Sequence, residues 1–211
     1  PVEAADEGLV TDTGLRIIQE FLPAGADNRP GGSNPDTYIT IHETGNFAKG
    51  ADAVAHAAYL RGSSAQAAPV SWHYTVDDHS IYQHLPDGER AYHAGDGGSG
   101  PGNATSIGVE ICVDAGGDFE QARANAASLV RLLMERHDIP LDRVVQHNRW
   151  NGKDCPKTIR ATAGAWEAFL ALCGGQGSQD TDPELEAAVD ALAAAGIIDS
   201  PERWKALDYT A

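Results

Sequence analysis

The chain has 211 residues, 42% of them hydrophobic and 22% charged, a composition that folds and does not stay disordered. Its formal net charge of -16 argues against nucleic acid or an anionic membrane as a main partner, because both demand clustered Lys and Arg. No apolar run approaches the ~18 residues of a membrane span, and the length suits one domain with a real core plus a small appendage.

Residues 1–36 are rich in Pro, Gly, Asp and Asn around an apolar patch at Leu15–Leu22. They read as an extended or short helical lead-in and then a loop, Ala24–Pro35. The alternation in Tyr38–His42 predicts a strand, with Ile39 and Ile41 on one face and Tyr38, Thr40 and His42 on the other. Ala51–Leu60 is rich in helix formers and stops at Gly62. His73–Val76 and Ser80–Leu85 read as a hairpin turning at Asp77-Asp78. Ala94–Asn103 carries five glycines and a proline, the composition of a loop.

Ser106–Val113 is a strong strand signal. Ile107, Val109, Ile111 and Val113 fall on one face, and Gly108, Glu110 and Cys112 on the other. Phe119–His137 places Phe119, Ala122, Ala126, Leu129, Val130 and Leu133 on one helical stripe. Arg143–Gln146 predicts a short strand, and Pro156–Leu172 a second amphipathic helix with Pro156 in its first turn. Strands alternating with helices give an α/β or α+β domain over one mixed sheet, ending near residue 173. Gly174–Asp182 reads as a flexible polar linker. After it come a helix over Glu184–Ala195, a turn at Gly196–Ser200 and a short helix at Pro201. Two helices bury too little to stand alone, so residues 183–211 are expected to dock, to pair with another chain, or to begin a further module.

Three cysteines are an odd number, which does not suggest a disulfide framework. Cys112 and Cys173 read as small buried residues. Cys155 differs, because the loop Gln146–Pro156 brings it together with His147 and Lys153. Neutral imidazole and thiolate both ligate zinc, and a nearby ammonium favours the thiolate. His42, at the end of a strand, supplies a third ligand that can converge on the same sheet rim. Three protein ligands with an open fourth position define a catalytic zinc rather than a structural one. His42-Glu43-Thr44-Gly45-Asn46 is not the H-E-x-x-H helix of zincins, since position 46 is Asn in a strand-like stretch.

Such a site needs a base and a group for the oxyanion. Glu110, a carboxylate inside an apolar strand, is the candidate base, with an exposed Glu on a half-solvated face as the alternative. Lys153 is placed to stabilise a developing oxyanion. His73 and His93, beside aromatics and glycine, divide evenly between core histidine and cleft lining. His56, His79, His84 and His137 read as surface or structural.

Five stretches carry a resemblance: Ile39–Asn46, Ser71–Asp78, His93–Gly97, Ser106–Cys112 and Gln146–Pro156. In order and spacing they resemble the zinc-dependent N-acetylmuramoyl-L-alanine amidases, the group of phage lysozyme-type amidases, bacterial autolysins and peptidoglycan recognition proteins. The similarity spans roughly residues 15–172. It implies a central mixed sheet flanked by helices, and one zinc ion held by His42, His147 and Cys155 at the base of a substrate groove. Glu110 and Lys153 take the catalytic positions, and Asn46, His73 and His93 the groove. Some phage members carry a catalytic tyrosine in the segment where this chain has Trp72, which favours Glu110 and Lys153 here. Asp serves as third ligand in other branches, but Cys155, and not the adjacent Asp154, is in register before Pro156.

The resemblance implies cleavage of the amide between muramic acid and L-alanine in peptidoglycan, at the bacterial cell wall, by an endolysin or autolysin. A non-catalytic peptidoglycan receptor on the same fold is the alternative. The tail bears a slight likeness to small helical modules next to such domains, which would serve self-association or wall anchoring.

Overall fold

In the computed structural model, which describes residues 9–175, 183–195 and 197, six strands build one mixed sheet. They are β1 (Ile17–Gln19), β2 (Tyr38–Glu43), β3 (Tyr74–Val76), β4 (Ile81–Gln83), β5 (Ser106–Ile111) and β6 (Val144–Gln146). Across the sheet the order is β1-β4-β3-β5-β2-β6; β3 and β4 run antiparallel, and every other neighbouring pair is parallel.

Alternation along β2 and β5 turns Ile39, Ile41, Ile107, Val109 and Ile111 into the main core, each with no exposed surface. Helix α4 (Phe119–His137) lays Ala122, Ala126, Leu129, Val130 and Leu133 against them, the stripe its periodicity predicts. Asp118 caps its start by accepting from the Gln121 N–H, and Asp138, at φ 51, ends it. Helix α7 (Ala165–Cys173) adds Phe169 to the same core. A separate cluster gathers Leu22, Leu60, Ala65, Trp72, Leu85 and Ala91 with α1 (Ala53–Arg61) and α2 (Ser63–Ala67).

Several boundaries differ from the sequence reading, each for a local reason. The apolar lead-in is extended and forms β1. Helix α1 starts at Ala53 and not Ala51, because Asp52 accepts from the Ala55 N–H at 2.8 Å and Asp77 from the Ala53 N–H at 2.9 Å. The hairpin strands are shorter than expected, since the Asp77 carboxylate draws in the N–H groups of His79 and Ser80. The glycine-rich loop ends in a helical turn, α3 (Pro101–Thr105), whose amides at Gly102 and Asn103 are held by Asp96. Asn148–Asn151 forms a further short helix, α5. The helix expected over Pro156–Leu172 is two, α6 (Lys157–Ala161) and α7, with Thr162 extended and Gly164 at φ 76 between them.

The chain divides into two units, Pro1–Cys173 and Gly174–Ala211. The second contains α8 (Pro183–Ala194). Positions 176–182 of the expected linker, most of the turn at Gly196–Ser200 and the short helix at Pro201 lie outside the described residues. Cys112, Cys155 and Cys173 are all free and buried. Among the described residues no helix is long and apolar enough to cross a membrane. Phe169 anchors α7 with no exposed surface, so Phe169→Ala is expected to cost about 3–5 kcal/mol by cavity formation. Denaturant unfolding of the variant against the parent measures it; a loss under about 1 kcal/mol contradicts this packing.

Candidate metal centre

The register of β2 on β5 pairs His42 with Glu110, and β3 brings Thr75 to the same row. Side chains on one strand alternate between faces, so His42 and Glu110 leave the sheet on the side away from the isoleucines. His147 follows β6 directly, its N–H donating to the Ile41 carbonyl at 3.1 Å. The chain then makes α5, turns at Gly152 (φ 79) and comes back. The Asn148 N–H meets the Cys155 carbonyl at 3.1 Å, the Asn148 side chain donates to the Lys153 carbonyl at 2.9 Å, and the Lys153 N–H donates to Asn151 at 2.9 Å. This closed excursion returns Cys155 to the rim that His147 left.

His42, His147 and Cys155 thereby offer ligand atoms that all lie within 4.8 Å of one another, and all three residues are buried. The Cys155 sulfur is 4.0 Å from His42 Nδ1. His147 spends Nε2 as a donor to the Ala94 carbonyl at 2.9 Å, while its Nδ1 is buried with no partner. A bare buried imidazole nitrogen facing a second imidazole and a thiol is the donor set of a transition-metal site, and tetrahedral zinc separates its N and S donors by about 3.3–3.8 Å. The residues fit a zinc ion. Glu110 stands beside them, with Oε1 3.8 Å from His42 Nδ1 and Oε2 buried without a partner.

Burial dominates the electrostatics. It holds His42 well below the ordinary imidazole range, with His93 and His147 adding to the effect, and it lowers His147, assisted by Lys153. Burial pushes Glu110 up to about 8, opposed by Lys153 and reinforced by Glu43. It raises the Cys155 thiol to about 12, with Glu110 adding to it and Lys153 pulling the other way. The ammonium therefore acts as the sequence suggests but loses to desolvation, so without an ion the sulfur is a thiol. Lys153 itself is exposed, and its charge reaches His42, His147, Glu110 and Cys155 alike.

The expected groove residues separate. His73 is a core histidine: it is fully buried, Nε2 donates to the Glu89 carbonyl at 2.8 Å, and Nδ1 accepts from the Gly108 N–H at 2.9 Å. With both nitrogens occupied it offers nothing to a ligand. His93 is buried as well and sits behind His42, with its Nδ1 2.9 Å from His42 Nε2. Asn46 is exposed in the loop after β2 and accepts from the Ala48 N–H at 3.2 Å. Trp72 is a core residue whose Nε1 donates to Thr75 at 2.7 Å. Asp154 is exposed and paired with Arg160 at 2.9 Å, whereas Cys155 is buried with its sulfur 4.0 Å from His42 Nδ1.

Three contributors escape the sequence reading. Glu43, buried at 7% exposure, accepts from the Thr158 and Ile159 N–H groups at 2.8 and 2.9 Å and so ties the end of β2 to α6. The Ala94 carbonyl takes both His147 and Asn151, at 2.9 Å each. Gly95, at φ 64, lets that turn form, since a Cβ there would stand 2.6 Å from the Asn151 amide. Glu43 is the one with a visible cue, a carboxylate next to a ligand at a strand end. The remaining histidines are structural or exposed: His56 on the Asp52 carbonyl, His84 on Thr75, His137 between Asp36 and Asp87, His79 on Asp78. A second acidic group, Asp77, Asp78 and His79, is a turn in which Asp77 is already filled by Ala53, His79 and Ser80.

Fold and side chains together define an α/β domain with three potential metal donors gathered at one sheet rim. The family model described as N-acetylmuramoyl-L-alanine amidase matches residues 32–158, and the chain belongs to that family. It is 52% identical over 165 residues to the N-acetylmuramoyl-L-alanine amidase XlyA of Bacillus subtilis (strain 168), covering 78% of this chain and 53% of that protein. With CwlH of the same organism it shares 49% over 170 residues, or 81% of this chain and 64% of the relative. The chain thus spans between half and two thirds of the length of these relatives. Among solved structures it matches the catalytic domain of XlyA with a TM-score of 0.71 and 51% identity, over 76% of this chain and all of that one.

The lowered histidines carry a pH signature in the metal-free protein. His42, His73, His84, His93 and His147 stay neutral when folded and take up protons near 6.5 when unfolded. Their contribution is therefore full above about 6.5 and is lost as pH falls below it. The raised groups Glu110, Asp36 and His79 run the opposite way but are outnumbered. Each histidine contributes up to about 1.4 kcal/mol per pH unit, and each kcal/mol about 2–4 °C of Tm. Thermal unfolding in chelator between pH 6.5 and 5 is expected to lose stability steadily; a flat or rising profile over that window refutes the assignment.

Proposed function

We propose that this chain hydrolyses the amide between the lactyl group of N-acetylmuramic acid and L-alanine in peptidoglycan, as a zinc amidase of the endolysin or autolysin kind acting at the bacterial cell wall. The observation that carries the reading is the convergence of two imidazoles and a thiol beside a buried carboxylate oxygen that has no partner. Family membership supports it, and so do relatives that bear the amidase name. His42 and His147 would hold the ion through Nδ1 and Cys155 through sulfur, leaving one position open.

A zinc ion so held supplies Lewis acidity for a carbonyl oxygen and makes a neighbouring water acidic, to a pKa of about 7. Glu110 takes the proton of the attacking water through its free oxygen as the water oxygen bonds to the carbonyl carbon. Lys153 meets the negative charge that develops on the carbonyl oxygen, which it does from an exposed loop without needing a buried ammonium. Glu110 then passes its proton to the L-alanine nitrogen as the C–N bond breaks. The products are a lactyl carboxylic acid and a free amino terminus. Without an ion, burial favours the protonated Glu110, whereas Lys153 and the charge of a bound zinc would favour the carboxylate that the first step requires.

Mass spectrometry of digested sacculi tests the bond and the metal together. The parent is expected to generate new L-alanine amino termini, to stop with chelator and to recover with zinc. Glu110→Gln is expected to keep its zinc content while losing ~10²–10³ in rate. Parent-like digestion by that variant ends the base assignment. Zinc bound without any new amino termini instead supports the receptor alternative.

A further inference from the structure

His42 can ligate through Nδ1 only if its proton sits on Nε2, and nothing inside the imidazole itself enforces that choice. The surroundings do. Ser106 Oγ contacts the Gly102 carbonyl at 2.6 Å, Thr40 Oγ1 at 2.8 Å and His93 Nε2 at 3.4 Å. A hydroxyl has one proton, and the carbonyl, which can only accept, takes it. Thr40 and His93 must then both donate to Ser106. Thr40 is free to do so because its own oxygen accepts the Trp150 Nε1–H, a group that can only donate, at 2.9 Å. A neutral His93 donating from Nε2 has a bare Nδ1, which lies 2.9 Å from His42 Nε2. His42 must therefore donate there, and its Nδ1 is left bare toward Cys155 and Glu110.

The backbone is cut to admit this arrangement. A Cβ on Gly108 would stand 2.8 Å from His93 Cγ and 2.9 Å from its Nδ1, so only glycine at this point of β5 lets the ring lie between the strand and His42. Asn103 fixes the His93 backbone from the other side, its Oδ1 accepting the His93 N–H at 2.8 Å. Ligating histidines usually give their second N–H to a carboxylate, a carbonyl or water. Here a neutral imidazole receives it, which adds no negative charge behind the metal.

We propose that His93, seated on Gly108 and oriented by Ser106, Thr40 and Trp150, is a positioning residue that fixes the tautomer of His42 and so sets Nδ1 as its metal-facing atom. The inference rests on His42 being a ligand, as proposed above. Loss of such a partner typically lowers metal affinity 10–100-fold.

Two measurements test it. Two-bond nitrogen–proton spectra of the metal-free parent, labelled at histidine, are expected to show His42 and His93 both protonated at Nε2. Ser106→Ala should shift His93 toward a mixture of tautomers. Zinc affinity by chelator competition is expected to fall about 10–100-fold in His93→Ala and to recover most of that loss in His93→Asn, whose amide oxygen replaces the Nδ1 acceptor. A parent His42 protonated at Nδ1, or a folded His93→Ala that binds zinc like the parent, overturns the proposal. His42→Ala separates the two layers. If it binds zinc like the parent, the ligand assignment itself falls; if it loses zinc while His93→Ala does not, only the tautomer relay falls. Should His93→Ala not fold, the spectrum of the parent decides.

Discussion

The parallel register between β2 and β5 governs everything else in this domain. Ile39, Ile41, Ile107, Val109 and Ile111 have no exposed surface, and each contributes about 1.5–3 kcal/mol by being buried. Because side chains alternate, the same register sends His42 and Glu110 out of the opposite face as direct neighbours. A slip of β2 by one residue would turn His42 into the hydrocarbon core and Ile39 and Ile41 out of it, and would leave the imidazole and the Glu110 carboxylate on opposite faces. The hydrophobic effect thus holds the candidate ligand beside the candidate base, although neither residue is hydrophobic.

A second regularity is that the pocket is close to electrically neutral at rest. Desolvation is the largest cause of the shift at His42, Glu110, His147 and Cys155, and the ammonium of Lys153 modifies each without reversing any. Cys155 makes the point: a thiol raised to about 12 becomes a thiolate only when a cation displaces its proton. A protein with a formal charge of -16 thereby avoids a cluster of uncompensated charge in its interior.

Much of this was legible in the sequence because it depends on period. Strand alternation in Tyr38–His42 and Ser106–Val113 marked both core and site faces, and the helical stripe of Phe119–His137 marked the layer that covers them. The ligand types in Gln146–Pro156 marked two of the three side chains that converge as a candidate metal pocket. What escaped depends on contacts between distant residues. His73 and His93 look alike in sequence, each beside an aromatic or a glycine. One is fully engaged in the core and the other backs His42, a distinction set by Gly108 and Ser106 across the sheet. The break between α6 and α7 was hidden because the apolar pattern of Pro156–Leu172 continues through it, while a glycine at positive φ redirects the chain.

The Glu43 carboxylate, bonded to the first amides of α6, has a wider implication. His42 and Glu43 are consecutive, so the strand that presents one donor also grips the segment that presents Cys155. The separation of these two side chains is thus held from the end of β2 as well as by the closed excursion through α5. Within that excursion Trp150 donates to Thr40 and Asn151 to the Ala94 carbonyl, so its inner side chains are tied into the frame of the pocket. The spacing of His42 and Cys155 therefore survives changes in the excursion only where they spare these anchors and the turn at Gly152.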